Sequence, residues 1–282
     1  MSNLRSASRQ AQETLREQEN AVFDNPGGFR AKTEAGHLVD IADELYSVAN
    51  LLAAQPRLRR TLGDPAAPEE SRAQLIEQLI GSQVSKQTLQ LCRAAVSLRW
   101  STPWDLADAI EGAGDDALFA AAEKAGSVAE IEDELFRFER ILQGEGEVAG
   151  LLDAYAVDTE RRQALLNTLV QAKVSPITLQ LLRHAVASQR KRSITLAIDD
   201  LLEKAAERQE RSVARVLSAV PLSNAQQLRL AAALTALYRR PISVRTAIDP
   251  DVRGGLVVRV GDEVIDGSVA TRFAEARAAL AG

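Results

Sequence analysis

The chain repeats itself at a constant offset of 90 residues, as from Ile41 to Ile131. In one block, Ile41, Asp43, Glu44 and Leu45 recur as Ile131, Asp133, Glu134 and Leu135. In a second block, Val84, Ser85, Thr88, Leu89, Gln90, Leu91, Arg93, Ala95 and Val96 recur as Val174, Ser175, Thr178, Leu179, Gln180, Leu181, Arg183, Ala185 and Val186. The alignment needs no gap between Ile41 and Ala107. A repeat of this kind indicates a duplicated domain.

The apolar positions shared by the two copies have helical spacing. They are Leu38, Ile41, Leu45, Val48 and Leu52 in the first copy and Val128, Ile131, Leu135, Phe138 and Leu142 in the second. This i, i+3, i+4, i+7 spacing is typical of an amphipathic helix. Ser85 and Ser175 are predicted N-caps, Pro176 suits a first helical position, and Thr102 before Pro103 predicts another helix start.

We therefore predict a mainly α protein with two tandem repeated helical bundles followed by a small α/β C-terminal domain. The bundles, of about five helices each, would span residues 1–125 and 126–211, and the last domain residues 212–282. Residues 1–35 are left open, as a helix of the first bundle or as an arm without fixed structure.

The C-terminal segment has a different pattern. Strands are predicted over 213–220 and around the alternating Ile242, Val244, Thr246 and Ile248, with a helix over 224–238 between them. Residues 256–260 and 263–265 flank Gly261 and Asp262. The length and residue types of this pair predict a two-residue hairpin turn. A final helix is predicted over Val269–Leu280.

Composition excludes several classes of function. The chain has 34 basic and 39 acidic residues, which argues against a nucleic-acid partner because phosphates require a basic surface. One cysteine permits neither a disulfide framework nor a multi-cysteine metal site. The N-terminal segment lacks the apolar core of a secretory signal, and no apolar run reaches the roughly 18 residues needed to span a bilayer.

The residues that could carry chemistry do not form a recognisable catalytic set. His37 aligns with Ser127 and His184 with Ala94, so we predict surface or capping roles for both histidines. Cys92 aligns with Leu182 on an apolar helical face and is predicted to be a buried, unreactive thiol.

No phosphate-binding loop is present, because the pairs Gly27–Gly28 and Gly254–Gly255 lack the lysine or third glycine of such loops. We interpret Gly254 and Gly255 as positions of positive φ or close backbone approach, and Asp266 as a turn or helix-cap residue. We therefore predict no catalytic site, cofactor or metal.

A basic cluster formed by Arg190, Lys191 and Arg192 stands out in the helical region. Its ordinary interpretation is a solvated helix end, where cations suit the negative pole of the helix dipole. The functional alternative is a contact with an acidic partner surface.

Near its end the chain resembles the delta subunit of bacterial F-type ATP synthases, the counterpart of the mitochondrial oligomycin-sensitivity-conferring subunit. The signature residues are Asp249, Pro250, Gly254, Gly255, Asp266, Gly267 and Ser268. Upstream, Arg99, Trp100, Ser101 and Pro103 and the run Glu132–Phe138 are similar to actinobacterial members. The usual form of the family has one helical domain before the C-terminal domain, whereas this chain has two copies.

The resemblance implies a non-catalytic subunit of the peripheral stalk, the stator of the rotary synthase. The helical part would bind the N-terminal helices of the alpha subunits of the catalytic head, and the C-terminal domain would bind the C-terminal part of the membrane-anchored b subunit. Rotor torque would then drive ATP synthesis. The expected location is the cytoplasmic face of the cell membrane, as a peripheral protein held only through the complex.

Two alternatives remain open at this point. A helical adaptor or scaffold protein unrelated to the synthase would explain the repeat and the missing chemistry, but it would not explain the C-terminal signature. An enzyme that uses the α/β domain would have only the glycine pair as support.

Overall fold

A computed structural model gives the fold of the chain. It describes residues 6–24, 34–154, 156–170, 173–188, 193–211, 213–249, 252, 254–261 and 263–266. The helices are α1 (Ser6–Asp24), α2 (Glu34–Ala54), α3 (Pro56–Leu62), α4 (Glu69–Ile80), α5 (Lys86–Ser97), α6 (Pro103–Ala125), α7 (Val128–Gly144), α8 (Gly146–Leu152), α9 (Thr159–Val170), α10 (Pro176–Ala187), α11 (Ile194–Arg211) and α12 (Asn224–Tyr238). The strands are β1 (Val213–Ser218), β2 (Ser243–Ile248), β3 (Leu256–Val260) and β4 (Glu263–Asp266). The predicted mainly helical chain with a small sheet near its end is confirmed.

The described residues fall into two compact units. The first takes in Met1–Ala122 and Glu130–Leu202, and the second takes in Glu123–Ala129 and Glu203–Gly282. Both copies of the repeat contribute to the first unit. That each copy forms a separate bundle, with domain boundaries at 125 and 211, therefore stays a prediction.

The helices of the first unit follow the offset of the sequence repeat. The bounds of α3, α4 and α5 recur as those of α8, α9 and α10, with both ends of each helix shifted by 90 residues. The ten predicted stripe residues of α2 and α7 are all buried, none being more than 5% exposed. Burial of one such side chain contributes about 1.5–3 kcal/mol, so these two stripes are central to the core.

The helix starts follow the predicted capping chemistry. The hydroxyl oxygens of Ser85 and Ser175 accept hydrogen bonds from the backbone amides of Thr88 and Thr178, and Pro176 occupies the first turn of α10. At the start of α6, the hydroxyl of Thr102 accepts a hydrogen bond from the amide of Asp105 at 3.3 Å. These bonds satisfy donors that a helix leaves unpaired in its first turn.

The segment 6–24, left open by the sequence, is a helix of the first unit. Helix α1 packs against α5, with Leu15 and Phe23 among its buried residues. The buried hydroxyl of Ser8 donates to Asp105 at 2.6 Å and accepts from the amide of Ser101 at 2.8 Å. These two bonds fix α1 to the start of α6.

The second unit contains a four-stranded mixed sheet with the order β2-β1-β3-β4. Strands β1 and β2 are parallel and are connected through α12, whereas β1–β3 and β3–β4 are antiparallel. The predicted hairpin turn begins at Gly261, whose φ is 58°. The core of this unit consists of Ala214, Val216, Leu234, Ile242, Val258 and Val260.

Strand β2 is less buried than its alternating sequence predicts. Ile242, just before the strand, is buried, but Ile248 is 59% exposed. The reason is that β2 lies at one edge of the sheet and offers most of its side chains to the surface. The predicted final helix, Val269–Leu280, lies outside the described residues.

Candidate partner-binding surfaces

The two copies share a carboxylate clamp, half-buried at Glu44 and buried at Glu134, that joins α2 to α5 and α7 to α10. The carboxylate of Glu44 accepts from the amide of Ser85 at 2.9 Å, from its hydroxyl at 2.7 Å and from the hydroxyl of Thr88. In the second copy, Glu134 accepts from the amide of Ser175 at 2.7 Å and from the hydroxyl of Thr178. Each carboxylate thus receives several donors and fixes the start of the helix that it faces.

In each copy, a buried arginine binds backbone carbonyls at the end of a helix. Arg72 donates to the carbonyls of Val96, Ser97 and Leu98 at the end of α5. Arg162, 90 residues later, donates to the carbonyl of Val186 at 2.6 Å. Both arginines therefore satisfy carbonyls that a helix end leaves without partners. Sequence reasoning missed this pair, although their identity at the repeat offset was a signal for it.

The copies meet through side chains of α2 and α10. The ring of Tyr46 stacks on that of His184 with centroids 3.4 Å apart and an interplanar angle of 13°. The side-chain amide of Gln180 donates to the carboxylate of Asp43, and the hydroxyl of Tyr46 donates to Asp115 at 2.7 Å. The contact between the copies therefore combines ring stacking with the Gln180–Asp43 hydrogen bond, while Asp115 of α6 fixes the Tyr46 hydroxyl within the first copy.

This environment shifts the pKa values of the groups in it. Burial, together with the nearby Arg183, lowers the pKa of His184 to about 4. Burial and the carboxylate of Asp115 raise the pKa of Tyr46 well above its usual value. The imidazole is therefore neutral near pH 7, which suits close stacking on the tyrosine ring.

The predicted surface or capping role of His184 is wrong. Its side chain is only 23% exposed, since the Tyr46 ring covers one face of the imidazole. His37 lies in the first turn of α2, and its Nε2 is buried without a hydrogen-bond partner, so a capping role does not describe it. Cys92 is fully buried as predicted, and burial raises the pKa of its thiol to about 12, so it is not a reactive nucleophile.

Of the C-terminal signature residues that are described, the glycines lie in a turn, whereas Asp266 pairs with Val257 in the sheet and does not lie in the predicted turn or helix cap. Gly254 and Gly255 have φ values of 74° and 82°, so the predicted positive φ is confirmed. The amide of Asp249 donates to the carbonyl of Ser218 at 2.9 Å, which ties the end of β2 to the end of β1. Asp266 is the last residue of β4. Pro250, Gly267 and Ser268 lie outside the described residues.

The glycine pair also borders a cleft of about 590 Å³ in the second unit. Leu222, Leu230 and Leu256 line it together with Arg229 and the glycines. A side chain is strained at a positive-φ position, so both positions favour glycine. The cleft wall therefore has only backbone atoms there.

Helix α12 is apolar on its exposed side as well as on its buried side. Leu234 is buried in the core of the unit, but Leu228 and Leu237 are 72% and 63% exposed. Ala225, Ala232 and Ala236 are also exposed. Although Gln226 and Arg229 are exposed as well, several apolar side chains exposed on one helix are normally covered by a partner, so this side of α12 is a candidate docking surface.

One cluster of charged side chains in the second unit holds parts of the fold together. The carboxylate of Glu123 lies 3.0 Å from Arg208 and 3.6 Å from Arg240, and its side chain is 9% exposed. Thus the end of α6, the end of α11 and the loop before β2 share one buried ionic cluster. Breaking such a cluster by removing one partner destabilises a protein strongly.

The family model of the ATP synthase delta (OSCP) subunit matches residues 29–99 and 116–280. The chain belongs to this family. The first matched segment lies in the first copy of the repeat, and the second takes in the other copy and the C-terminal segment. The predicted resemblance is confirmed, and with it the prediction of a non-catalytic subunit.

Relatives from actinobacteria match the chain over nearly its whole length. The ATP synthase subunit delta of Streptomyces griseus is 41% identical and covers 99% of this chain and 100% of its own length. That of Salinispora arenicola is 40% identical and covers 95% of this chain and 98% of its own length. That of Streptomyces coelicolor is also 40% identical and covers 100% of both chains. A chain of the Toxoplasma gondii mitochondrial ATP synthase hexamer is 28% identical over 60% of this chain and 95% of that chain, with a TM-score of 0.29.

Two further observations bear on the predicted sites of this delta-family chain. Among the residues that the structure describes, no group of His, Cys, Asp or Glu could hold a metal ion, and no helix is long and apolar enough to cross a membrane. The basic cluster Arg190, Lys191 and Arg192 lies outside the described residues, so its predicted partner contact stays a prediction.

Proposed function

We propose that this chain is the stator subunit that joins the catalytic head of an F-type ATP synthase to its membrane-anchored stalk. The observation that carries the proposal is the family match over both repeat copies and the C-terminal segment, with relatives about 40% identical along nearly the whole chain. In this role the chain transmits force and makes or breaks no bonds. Rotor torque then drives the catalytic cycle instead of turning the head.

The two units bind different partners in this proposal. The helical unit binds the N-terminal helices of the alpha subunits, and the second unit binds the C-terminal part of the b subunit. The exposed apolar side of α12 supports the second assignment, because an amphipathic helix docks by burying apolar side chains. The chain then lies at the cytoplasmic face of the cell membrane and reaches the bilayer only through the complex.

The duplication suggests a division of labour between the copies. One copy docks on the head, and the other lengthens or braces the stalk. The different surfaces of the copies support this, since Tyr46 is 3% exposed whereas its repeat equivalent Phe136 is 49% exposed. Close-packed helical cores suit a part that must resist deformation under load.

Purification of the tagged full-length chain from native membranes tests the function. Alpha and b subunits are expected to co-purify, and depletion of the chain is expected to stop ATP synthesis while nucleotide hydrolysis by the detached head continues. Recovery of the chain without any synthase subunit would favour the helical adaptor. ATP hydrolysis by the pure chain would contradict a non-catalytic role.

The docking side of α12 can be tested separately with Leu228→Asp. We expect this substitution to reduce the b subunit that co-purifies by about tenfold, since a central apolar anchor contributes 1–2 kcal/mol or more. Arg259→Asp, an exposed change on β3 of the same unit, is the matched control and should leave b bound. Equal recovery of b with both variants would show that this side of α12 does not bind the b subunit.

A further inference from the structure

Three arginines form a row across one face of the sheet in the second unit. Arg215 of β1 is paired in register with Arg245 of β2 on one side and with Arg259 of β3 on the other. All three side chains are exposed. Because neighbouring strands lie about 4.8 Å apart, the three side chains of this arginine row leave the sheet within about 10 Å of one another.

The arginine row lies on the face of the sheet that α12 does not cover. Successive side chains of a strand point to opposite faces of the sheet. Ala214 and Val216, on either side of Arg215, are fully buried in the core to which Leu234 of α12 contributes. The row therefore points away from α12, and a partner helix docked on the exposed side of α12 does not also reach the row.

The positive charge of the row is not balanced within the fold. Arg215 has the carboxylate of Glu210 at 3.9 Å, but the two side chains are 69% and 73% exposed, and such a pair contributes little. Within the described parts of the chain, Arg245 and Arg259 form no ion pair. Like charges on directly opposite residues destabilise a sheet. The row thus weakens the fold, and an acidic partner would offset this effect.

An apolar row lies beside the arginine row on the same face. Leu217 of β1 is paired with Ala247 of β2 and with Val257 of β3, two residues along each strand, or about 6.8 Å, from the arginines. Leu217 and Val257 are half-buried, and Asp266 of β4 lies opposite Val257 at the edge of the sheet. This face therefore matches a partner that is acidic along one side and apolar along the next.

An α-helix has this chemistry at the required spacing. Residues at i and at i+3 or i+4 lie about 5–6 Å apart on the surface of a helix, close to the separation of neighbouring strands. A helix that lies along the arginine row can place one carboxylate against each arginine. Its neighbouring apolar side then covers Leu217 and Val257.

We propose that the arginine row binds an acidic amphipathic helix of an alpha subunit, so that the second unit also holds the catalytic head. The proposal rests on the proposed function, in which the partners are alpha and b. There the b subunit docks on α12, on the other side of the sheet, which leaves alpha for the row. A single contact with the head can act as a pivot, whereas a second contact resists rotation about the first, as a stator requires.

Two other occupants fit the row poorly. The segment 267–282 of this chain contributes two guanidinium groups, those of Arg272 and Arg277, and one carboxylate side chain, that of Glu275. It would add positive charge to a face that already has an excess. A second copy that used the same face in a two-fold contact would set arginines against arginines, which repel one another.

The test replaces Arg215 by lysine in the full-length chain of the assembled synthase and treats the complex with a zero-length carbodiimide. Arg215→Lys keeps the positive charge, and its amine forms an amide bond with a carboxylate in direct contact. Arg229→Lys is the matched control, because Arg229 is an exposed arginine on α12. We expect mass spectrometry to find position 215, and not position 229, joined to an Asp or Glu of an alpha subunit.

Binding of the full-length chain to the isolated catalytic head provides an independent measurement. Arg215→Glu should weaken this binding about tenfold at low salt, whereas Arg229→Glu, with the same change of charge, should leave it unchanged. The difference should disappear in about 1 M salt, where charges are screened within roughly 3 Å. Recovery of the b subunit should be unaffected by Arg215→Glu.

The melting temperature separates binding from folding. A glutamate between two arginines replaces two unfavourable cross-strand pairs with two favourable ones. Arg215→Glu should therefore melt at the same temperature as the native chain or at a higher one. A lower melting temperature would mean that the row supports the fold, and it would overturn the inference.

Three further results would overturn it: no crosslink from position 215 to alpha, a crosslink only to the b subunit or within this chain, or equal weakening of head binding by the two charge reversals. If the native chain recovers alpha and b but the row gives one of these results, the inference fails alone. If the native chain recovers neither subunit, the proposed function fails with it.

Discussion

The two copies of the repeat agree in their interiors and differ on their surfaces. Glu44 and Glu134 clamp the starts of equivalent helices, and Arg72 and Arg162 cap the ends of the same helices. Outside, Tyr46 is covered whereas Phe136 is not. Buried polar groups are costly to leave without partners, so a duplicated fold retains them together, while its surfaces can change to suit different neighbours.

The largest expected effect tests the shared interior through Arg72→Met and Arg162→Met. Each change leaves buried helix-end carbonyls without a donor, and we expect a loss of about 3 kcal/mol in the free energy of unfolding in both cases. Chemical denaturation of the full-length chain measures it. Arg161→Met, at an exposed position beside Arg162, should stay within about 0.5 kcal/mol. A large loss in one copy only would contradict the equivalence of the two interiors.

A smaller effect, dependent on pH, tests the contact between the copies. The pKa of His184 is about 4 in the fold and about 6.5 in an unfolded chain, so the unfolded state binds more protons between these values. Stability therefore falls as the pH falls, and from pH 7 to pH 5 His184 alone should cost about 2 kcal/mol.

His184→Phe keeps an aromatic ring against Tyr46 and removes the titrating group. The variant should lose about 2 kcal/mol less than the native chain over the same pH interval, in denaturation curves recorded at both pH values. Asp43, Tyr46, Gln180 and Arg183 surround the imidazole and are unchanged in the variant, so the difference isolates the histidine. Identical pH dependence in the two proteins would mean that the imidazole is not held neutral by the contact.

The smallest effect concerns an exposed position at which the copies differ. Arg93 forms an ion pair with Glu77 at 2.9 Å, whereas its equivalent Arg183 bonds to the amide oxygen of Asn167. Both side chains of the ion pair are more than 40% exposed, so the pair contributes only about 0.5 kcal/mol.

We expect Glu77→Asn to lose about 0.5 kcal/mol at low salt and Asn167→Glu to gain a similar amount. Both differences should vanish in about 1 M salt, where charges are screened within roughly 3 Å. Denaturation at the two salt concentrations measures them. Effects that persist in high salt would point to packing and not to charge.

Local features of the fold were predictable from the sequence. The stripe from Leu38 to Leu52, the N-caps Ser85 and Ser175 and the bounds of α12 all depend on short-range rules of spacing and capping. The positive φ of Gly254 and Gly255 follows from the same kind of reasoning.

The contacts of His184 and Arg72 were not predictable in this way. His184 and Tyr46 are 138 residues apart, and the repeat equivalent of His184 is an alanine, so neither helical spacing nor the repeat indicated the stack. Arginine is rarely buried, so for Arg72 only its recurrence as Arg162 at the repeat offset pointed to a structural role, and it did not show which carbonyls the side chain would bind. The edge position of β2, which exposes Ile248, likewise depends on sheet order and not on local alternation.

The stack of Tyr46 on His184 also decides how the chain can be dissected in the laboratory. A fragment that ends before α10 would expose the tyrosine ring, and one that begins after α2 would uncover the imidazole. Each half would then expose an aromatic surface that is complementary to the other half. Separately produced halves are therefore expected to aggregate, or to associate when mixed. Single substitutions in the intact chain are the sounder way to assign a task to each copy.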